Sequence, residues 1–208
     1  HLSLRRQRQM CIRDSLKEYW NNPAATADAF SEGGWFRTGD IGSFDSEGFL
    51  TITGRKKEII VTAGGKNVAP AALEDPIRAN PIIGQVVVVG DQRPFISALI
   101  TLDPEMLPTW LANAGLPKEM SLVEASKNDA VRAEIQRAVD AANARVSRAE
   151  SIRKFTVLDS EWTEASGHLT PKMSIKRNVI MSDFADEIAA IYDEPVTTTN
   201  VALSLIHI

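Results

Sequence analysis

Apolar positions in this chain follow two patterns. In the first, short runs of aromatic and β-branched residues lie between turn residues, which predicts strands at Ile41–Phe44 and Phe49–Thr53 joined by a hairpin loop at Asp45–Gly48. In the second, apolar residues recur every three to four positions from 128 to 150 with charges on the other faces, which predicts a helix with Asp129 as its N-cap.

The same patterns predict the remaining elements. The lead-in Leu16–Phe30 is helical or looped and is broken at Pro23, and Gly64 and Gly65 predict a tight turn. The further elements are a strand at 58–62, a helix from Pro70 to Ala79, strands at Gln85–Val89, Phe95–Leu102 and Ile152–Leu158, and a final helix from about Ser174 to Tyr192. Their alternation predicts an α+β fold, a small mixed or antiparallel sheet with packed helices.

The chain is expected to divide near residues 54–57. Residues 57–194 can close a core of their own, whereas the strands of residues 16–56 need partners that this chain does not supply. The ends, 1–15 and in part 195–208, resemble translated sequencing-adapter sequence and are set aside as artefactual. This asymmetry predicts that the chain is a fragment of a longer protein.

Composition excludes several function classes. With 44% hydrophobic and 24% charged residues and no apolar run near the ~20 residues of a spanning helix, the sequence is typical of a soluble globular protein. Its only cysteine, Cys11, lies in the excluded end, so no disulfide or cysteine metal site is predicted and a reducing cytoplasm fits. The net charge of −4 disfavours a nucleic-acid surface, which is usually basic.

Three clusters concentrate the candidate chemistry. They are Trp35-Phe36-Arg37-Thr38-Gly39-Asp40, Gly54-Arg55-Lys56-Lys57-Glu58 with Gly64-Gly65-Lys66, and Leu169-Thr170-Pro171-Lys172-Met173-Ser174-Ile175-Lys176-Arg177. In this order and spacing they resemble the motifs of adenylate-forming enzymes, and most closely those of bacterial long-chain fatty acyl-CoA synthetases. The resemblance implies the mobile C-terminal lid domain of such an enzyme over 57–194, preceded by a strand-rich piece of its large N-terminal domain.

The resemblance assigns nucleotide-binding roles in the first two clusters. It makes Asp40 the ribose-binding carboxylate, which can accept two hydrogen bonds from a diol. Arg55 would contact the ribose or the α-phosphate, and Lys57 would be the hinge. Taken alone, Asp40 is also explained as a turn aspartate, and residues 55–57 as a solvated basic turn.

By the same resemblance, Gly64, Gly65 and Lys66 line the coenzyme A tunnel. Glycines allow the backbone N–H groups to come close to a ligand, and Lys66 adds a positive charge for an anion. A plain hairpin turn explains the two glycines equally well.

The third cluster departs from the family pattern. The lysine that stabilises charge during adenylation would align with Ser174, so either Lys172 or Lys176 takes that role or adenylation is impaired. Lys172 is preferred because it lies earlier in the loop, whereas a basic helix start is the alternative for both lysines. His168 has no nearby Cys or His, so a loop histidine is favoured over a metal ligand, and no metal-binding residue is predicted.

The resemblance implies ATP, Mg²⁺, coenzyme A and a fatty acid as reactants, with acyl-adenylate formed first and the thioester second. The phosphate-binding loop, adenine pocket, magnesium-binding Glu and acyl tunnel are expected upstream of Leu16, so the isolated chain should not form acyl-hydroxamate. Two alternatives are a ligase of another carboxylate, aryl or short-chain, and a non-catalytic lid-like module that binds coenzyme A or a partner. Peripheral association with the inner membrane face fits a long-chain substrate, and the sequence gives no oligomeric state.

Overall fold

The structure, a computed structural model, describes residues 16–193. The expected artefactual ends, 1–15 and 195–208, lie outside the described residues. The chain forms two compact units, the first ending at Lys57 and the second beginning at Glu58. Among residues 16–193, no helix combines the length and apolar character needed to cross a membrane.

The first unit contains one helix and one hairpin. Helix α1 (Pro23–Ala29) begins at Pro23, so the lead-in changes from loop to helix at the residue where a break was predicted. Proline suits the first turn because the N–H that it lacks would have no helical partner there. The Asn22 side chain caps the helix by accepting a hydrogen bond from the Ala25 N–H at 3.0 Å.

The hairpin of the first unit confirms the sequence prediction. Strands β1 (Asp40–Phe44) and β2 (Leu50–Arg55) pair antiparallel, with Asp40 opposite Arg55. Gly42 sits at an irregularity in the register, and a Cβ there would lie 2.7 Å from the Thr51 carbonyl oxygen. Glycine is therefore required because the partner backbone approaches so closely.

The second unit starts with a small hairpin followed by a helix. Strand β3 (Ile60–Val61) pairs antiparallel with β4 (Asn67–Val68), and helix α2 (Ala71–Arg78) follows. Strand β3 is shorter than the predicted strand at 58–62 because Lys56–Glu58 form a 3₁₀ turn.

The main sheet of the second unit has three strands in the order β5-β6-β7. Strand β5 (Ile83–Val89) runs antiparallel to β6 (Ile96–Leu102), and β7 (Ile152–Val157) runs parallel to β6. Residues of β6 are buried throughout, as expected for a central strand with both faces covered. The predicted α+β fold with a small mixed sheet is confirmed.

Helices that the sequence analysis missed lie between β6 and β7. Helix α3 (Leu107–Asn113) and helix α4 (Leu122–Lys127) precede α5 (Asp129–Asn143). Helix α4 carries a capping box in which Ser121 and Glu124 bond each other's backbone N–H groups. The Ser-x-x-Glu spacing was therefore a readable signal for its start.

Helix α5 differs from its prediction at both ends. It stops at Asn143 rather than near residue 150, because the Asn143 side chain bonds the backbone N–H and carbonyl of Ile152 at 2.8 and 3.0 Å. The N-cap is Asn128 rather than Asp129. The Asn128 Oδ1 accepts hydrogen bonds from the N–H groups of Ala130 and Val131 at 3.0 and 3.3 Å.

The position of this cap gives a stability prediction. Replacing Asn128 by alanine is expected to lower the free energy of unfolding by about 1 kcal/mol, because two N–H groups of the first turn lose their acceptor. The matched change Asp129→Ala removes only a carboxylate near the positive helix end and should cost about 0.5 kcal/mol or less. Urea unfolding of both variants checks the order, and a larger loss for Asp129→Ala would contradict the assigned cap.

The predicted final helix is two helices. Helix α6 (Arg177–Asp183) begins after Lys176, and helix α7 (Ala185–Asp193) follows a break at Phe184, whose φ is −110° and ψ is 30°. The Phe184 ring lies 5.9 Å from the Trp162 ring and 5.5 Å from that of His168. This packing turns the chain at the break.

Two cores lie on opposite faces of the sheet. Val86 and Val88 of β5 pack with α2 and α5, whereas Val87 and Val89 pack with α6 and α7. Successive strand residues point to opposite faces. The uninterrupted run of valines is therefore explained by helices on both sides of the sheet.

Candidate functional site

The hairpin of the first unit brings two predicted site residues together. Asp40 and Arg55 are direct partners across β1 and β2, and Arg55 Nε lies 3.5 Å from Asp40 Oδ1. The Arg55 side chain is 68% exposed and that of Asp40 is 26% exposed. A solvent-exposed ion pair of this kind stabilises the fold by at most about 1 kcal/mol, so both side chains are available to a ligand.

The residues before Asp40 form an exposed segment without regular secondary structure. Gly39 adopts a φ of +75°, which favours glycine, and a Cβ there would meet no atom within 4 Å. Thr38 Oγ1 accepts a hydrogen bond from the Asp40 N–H at 3.1 Å, and the Gly39 carbonyl accepts one from the Lys56 N–H at 2.8 Å. These bonds fix the backbone at Asp40, the first residue of β1.

Lys57 lies in the 3₁₀ turn Lys56–Glu58, and its side chain is exposed. The division between the two compact units falls directly after this residue. A 3₁₀ turn has poorer hydrogen-bond geometry than an α-helix, and this one connects two strands as a short linker.

The second unit holds the Gly64–Lys66 segment as the turn between β3 and β4. We call this segment the glycine loop. The Thr62 N–H donates to the Lys66 carbonyl at 3.0 Å and the Thr62 carbonyl accepts from the Gly65 N–H at 2.8 Å. Gly65 has a φ of +76° with open space around its Cα, so backbone conformation alone explains this glycine.

Lys66 forms an ion pair with Glu150 at 3.4 Å, and 46% of the Lys66 side chain is exposed. Hydrogen bonds from the side chain and backbone N–H of Ser147, together with the charge of Lys66, hold the pKa of Glu150 below its ordinary value. Glu150 is therefore ionised at neutral pH, and it is a carboxylate with which an anionic ligand would compete for Lys66.

The third cluster forms a small hairpin on the second unit. Leu169 and Ile175 are bridged antiparallel, and the Thr170 carbonyl accepts from the Met173 N–H at 2.8 Å. We call residues 169–175 the lysine hairpin. Leu169 is buried in the core against α6 and α7, whereas Met173 is exposed with a φ of +59°. The hairpin thus has an anchored base and a strained, exposed tip.

The three candidate positions of this cluster lie at different places. Lys172 is at the exposed tip, and Ser174 is on the returning limb, where its N–H donates to Thr170 Oγ1 at 3.1 Å. Lys176 lies beyond the hairpin as the N-cap residue of α6, and its N–H donates to the His168 carbonyl at 2.8 Å. The structure therefore keeps Lys172 on the tip and places Lys176 at the base.

One buried ion pair was missed by the sequence analysis. Arg177 Nη2 lies 2.8 and 2.9 Å from the two carboxylate oxygens of Glu74, which is 7% exposed. The Val88 N–H donates to Glu74 Oε1 at 2.7 Å, and Arg177 Nη1 donates to the Val88 carbonyl at 3.1 Å. Partners so far apart in the chain leave no local pattern that could have revealed the pair.

His168 lies in a row with Ser166 and Asp183 that superficially resembles a hydrolase triad. Its Nδ1 is 2.8 Å from Ser166 Oγ, and its Nε2 is 3.1 Å from Asp183 Oδ2. However, Ser166 Oγ also accepts from the Thr163 N–H and contacts the Thr163 carbonyl, so it is engaged in a local turn. The arrangement is better explained as a brace between the turn at 163–168 and the end of α6.

Over residues 16–193, no group of three or more His, Cys, Asp or Glu side chains could hold a metal ion.

Comparison with known proteins identifies the family. A family model described as AMP-binding enzyme C-terminal domain matches residues 57–195. The long-chain-fatty-acid–CoA ligase FadD15 of Mycobacterium tuberculosis is 55% identical over 176 residues, which are 85% of this chain and 29% of that protein. The long-chain-fatty-acid–CoA ligase ACSBG2 of Gallus gallus is 36% identical over 198 residues, 87% of this chain and 26% of that protein.

Solved structures agree with this assignment. The adenylation domain of the carboxylate reductase from Mycobacterium chelonae is 25% identical with a TM-score of 0.67, and the match covers 85% of this chain and 26% of that one. This chain thus spans less than a third of the relatives and structures that it matches. The chain belongs to the family of AMP-binding enzyme C-terminal domains and corresponds to the C-terminal part of an adenylate-forming enzyme.

Proposed function

We propose that the chain is the C-terminal part of an AMP-forming long-chain fatty acid–CoA ligase. The observation that carries the proposal is its 55% identity to the M. tuberculosis ligase across 85% of the chain. The geometry adds support, since Asp40 and Arg55 lie together and the lysine hairpin presents an exposed cationic tip.

In the first half-reaction, a fatty-acid carboxylate oxygen forms a bond to the α-phosphorus of ATP. The bond from that phosphorus to the bridging oxygen breaks, and pyrophosphate leaves. Asp40 accepts hydrogen bonds from the ribose diol and Arg55 lies beside the ribose or α-phosphate. Lys172 stabilises negative charge on the non-bridging oxygens in the transition state.

In the second half-reaction, the sulfur of coenzyme A attacks the acyl carbonyl of the adenylate. A carbon–sulfur bond forms, the carbon–oxygen bond to AMP breaks, and the thiol proton passes to solvent. The glycine loop lies along the pantetheine arm, and Lys66 binds an anionic group of coenzyme A after leaving Glu150. Mg²⁺ is expected to enter with ATP, where it would be held largely by phosphate oxygens and would neutralise their charge.

Lys57 is the pivot between the two half-reactions in this proposal. Rotation about a short exposed turn requires a change in only a few backbone angles, and each set of reactants selects the orientation that it binds better. Fatty acid, ATP and coenzyme A are the small-molecule substrates in this proposal. We expect a cytoplasmic ligase, and a long-chain substrate that partitions into bilayers is consistent with peripheral association at the inner membrane face.

The proposal is tested by grafting. In the M. tuberculosis relative, the equivalent segment is replaced by residues 16–193 of this chain to give what we call the grafted ligase. Acyl-hydroxamate formation from ATP, magnesium and palmitate is expected, and the same host without the segment should form none. A grafted ligase that is folded by circular dichroism, yet inactive while the intact host is active, would overturn the proposal.

A second candidate substrate class is favoured by the similarity to a carboxylate reductase adenylation domain. The shared chemistry is adenylation of a carboxylate, and the acid could then be aryl or short-chain. Pyrophosphate release by the natural full-length protein with palmitate, benzoate and acetate distinguishes these classes. A preference of tenfold or more for palmitate in kcat/KM supports the fatty-acid assignment.

Lys66 gives a further prediction. Replacing Lys66 by methionine in the grafted ligase is expected to raise the KM for coenzyme A about tenfold, because one charge-assisted contact is lost. Adenylation should be unchanged. The matched change Glu150→Gln removes the competing carboxylate, so it should lower this KM by about twofold. Equal KM values in all three proteins would contradict the assigned contact.

A further inference from the structure

The Glu74–Arg177 ion pair bonds backbone groups at the outer edge of the main sheet. Val88 pairs with Ala98 of β6, and within residues 16–193 no strand pairs with the other side of β5. The Val88 N–H and carbonyl bond Glu74 and Arg177, at 2.7 and 3.1 Å. The two side chains thus satisfy backbone groups that would otherwise be left at a sheet edge.

The pair also fixes the base of the lysine hairpin. Arg177 is the first residue of α6 and directly follows Lys176, whereas Glu74 belongs to α2. Both carboxylate oxygens of Glu74 contact Arg177 Nη2, and Arg177 Nη1 reaches the strand. A planar guanidinium held at two of its nitrogens fixes the orientation of the helix start.

The attraction between the two charges does not by itself account for an ion pair at this largely buried place. Removing two charges from water offsets most of their attraction, and apolar residues of similar volume commonly serve as well or better. The ion pair adds hydrogen bonds whose fixed directions orient the start of α6. An apolar pair could fill the same space without holding the start of α6 in one orientation.

We propose that Glu74 and Arg177 are positioning residues for adenylation, acting by holding the lysine hairpin in place. This inference rests on the proposed function. The position of the glycine loop depends less on the pair, because the loop is held by the turn between β5 and β6. The Ala63 N–H donates to the Arg93 carbonyl, and the Val61 carbonyl accepts from the Gln92 N–H. Loss of the pair therefore affects adenylation more than thioester formation.

The experiment uses the grafted ligase with the double change Glu74→Leu and Arg177→Met. Adenylation is measured by pyrophosphate release with palmitate, and thioester formation from synthetic palmitoyl-adenylate and coenzyme A. The kcat for adenylation is expected to fall about tenfold with the KM for ATP within about twofold of the parent. Thioester formation should stay within about threefold. The unfolding temperature should fall because the Val88 N–H and carbonyl lose their side-chain partners, so both rates are measured well below the unfolding transition.

Two further variants separate positioning from folding. Arg177→Lys keeps the positive charge but removes the planar guanidinium. It should lower the adenylation rate by about threefold to tenfold and leave thioester formation unchanged. The matched control Asp75→Asn with Arg78→Gln removes an ion pair that lies within α2, and it should change neither rate. Unchanged rates in this control would show that altered charge on α2 is not the cause of the lower adenylation rate.

Parallel loss of both half-reactions, or a loss that follows the unfolding temperature, overturns the inference. Unchanged adenylation in the folded double variant or in folded Arg177→Lys also overturns it. Failure of the proposed function has a different signature, since the unmodified grafted ligase would then show no adenylation.

Discussion

Replacing Lys172 by methionine is expected to lower the adenylation rate of the grafted ligase about 100-fold. Negative charge builds up on the non-bridging oxygens of the α-phosphate, and removing one pre-positioned donor from such a site typically costs about 10²–10³ in rate. Methionine keeps an unbranched side chain and removes the ammonium. Pyrophosphate release with palmitate measures the effect, and thioester formation from preformed adenylate should be nearly unchanged.

Two companion variants identify which position supplies the charge. Lys176→Met should change adenylation by less than about threefold, because Lys176 lies at the base of the hairpin as the N-cap residue of α6. Adding Ser174→Lys to the Lys172→Met protein should restore adenylation at least tenfold, because Ser174 is exposed on the returning limb. A greater loss for Lys176→Met would move the role to that residue.

The outcome with Ser174→Lys in the otherwise unchanged protein is equally informative. If Lys172 already supplies the charge, a second ammonium on the same hairpin adds little and the rate should rise less than about threefold. A rise of 100-fold would instead mean that neither Lys172 nor Lys176 acts, and that this chain is impaired in adenylation.

Local sequence patterns were sufficient for the hairpin that carries Asp40 and Arg55. The turn residues Asp45–Gly48 fix where the chain reverses, and Asp45 Oδ1 accepts from the N–H groups of Glu47 and Phe49 at 2.9 and 2.8 Å. Once the turn is fixed, pairing outward along the strands nearly determines which residues face each other. The register that places Asp40 opposite Arg55 follows, with one irregularity at Gly42.

Long-range contacts could not be predicted from local sequence patterns. Apolar spacing predicted one helix from about Ser174 to Tyr192, but packing of Phe184 on Trp162 and His168 breaks it. Likewise, Asn143 ends α5 by bonding Ile152 across a turn. Periodicity records which face of a segment is apolar, whereas these boundaries depend on partners supplied by other segments.

The cap of α5 illustrates a local ambiguity. Asn128 and Asp129 are adjacent and both residue types are good N-caps, so sequence alone gave no reason to choose between them. The extended backbone of Asn128, with φ −73° and ψ 129°, decides in its favour.

Replacing Asp40 by asparagine is expected to raise the KM for ATP of the grafted ligase about 100-fold. A carboxylate can accept from both ribose hydroxyls, and a hydrogen bond to a charged group contributes about 1.5–3 kcal/mol. Asparagine keeps the shape but offers one acceptor oxygen and no charge. Initial rates of pyrophosphate release across ATP concentrations measure the change, and the unfolding temperature should stay the same because the pair with Arg55 is exposed.

The matched control for this change is Asp45→Asn. It alters an aspartate of the same hairpin that bonds only the turn backbone, so it should affect stability slightly and leave the KM for ATP unchanged. Arg55→Met should raise the same KM by about tenfold, because it removes one contact rather than two. Similar KM values for Asp40→Asn and Asp45→Asn would show that Asp40 acts as a turn residue rather than as a ligand of the ribose.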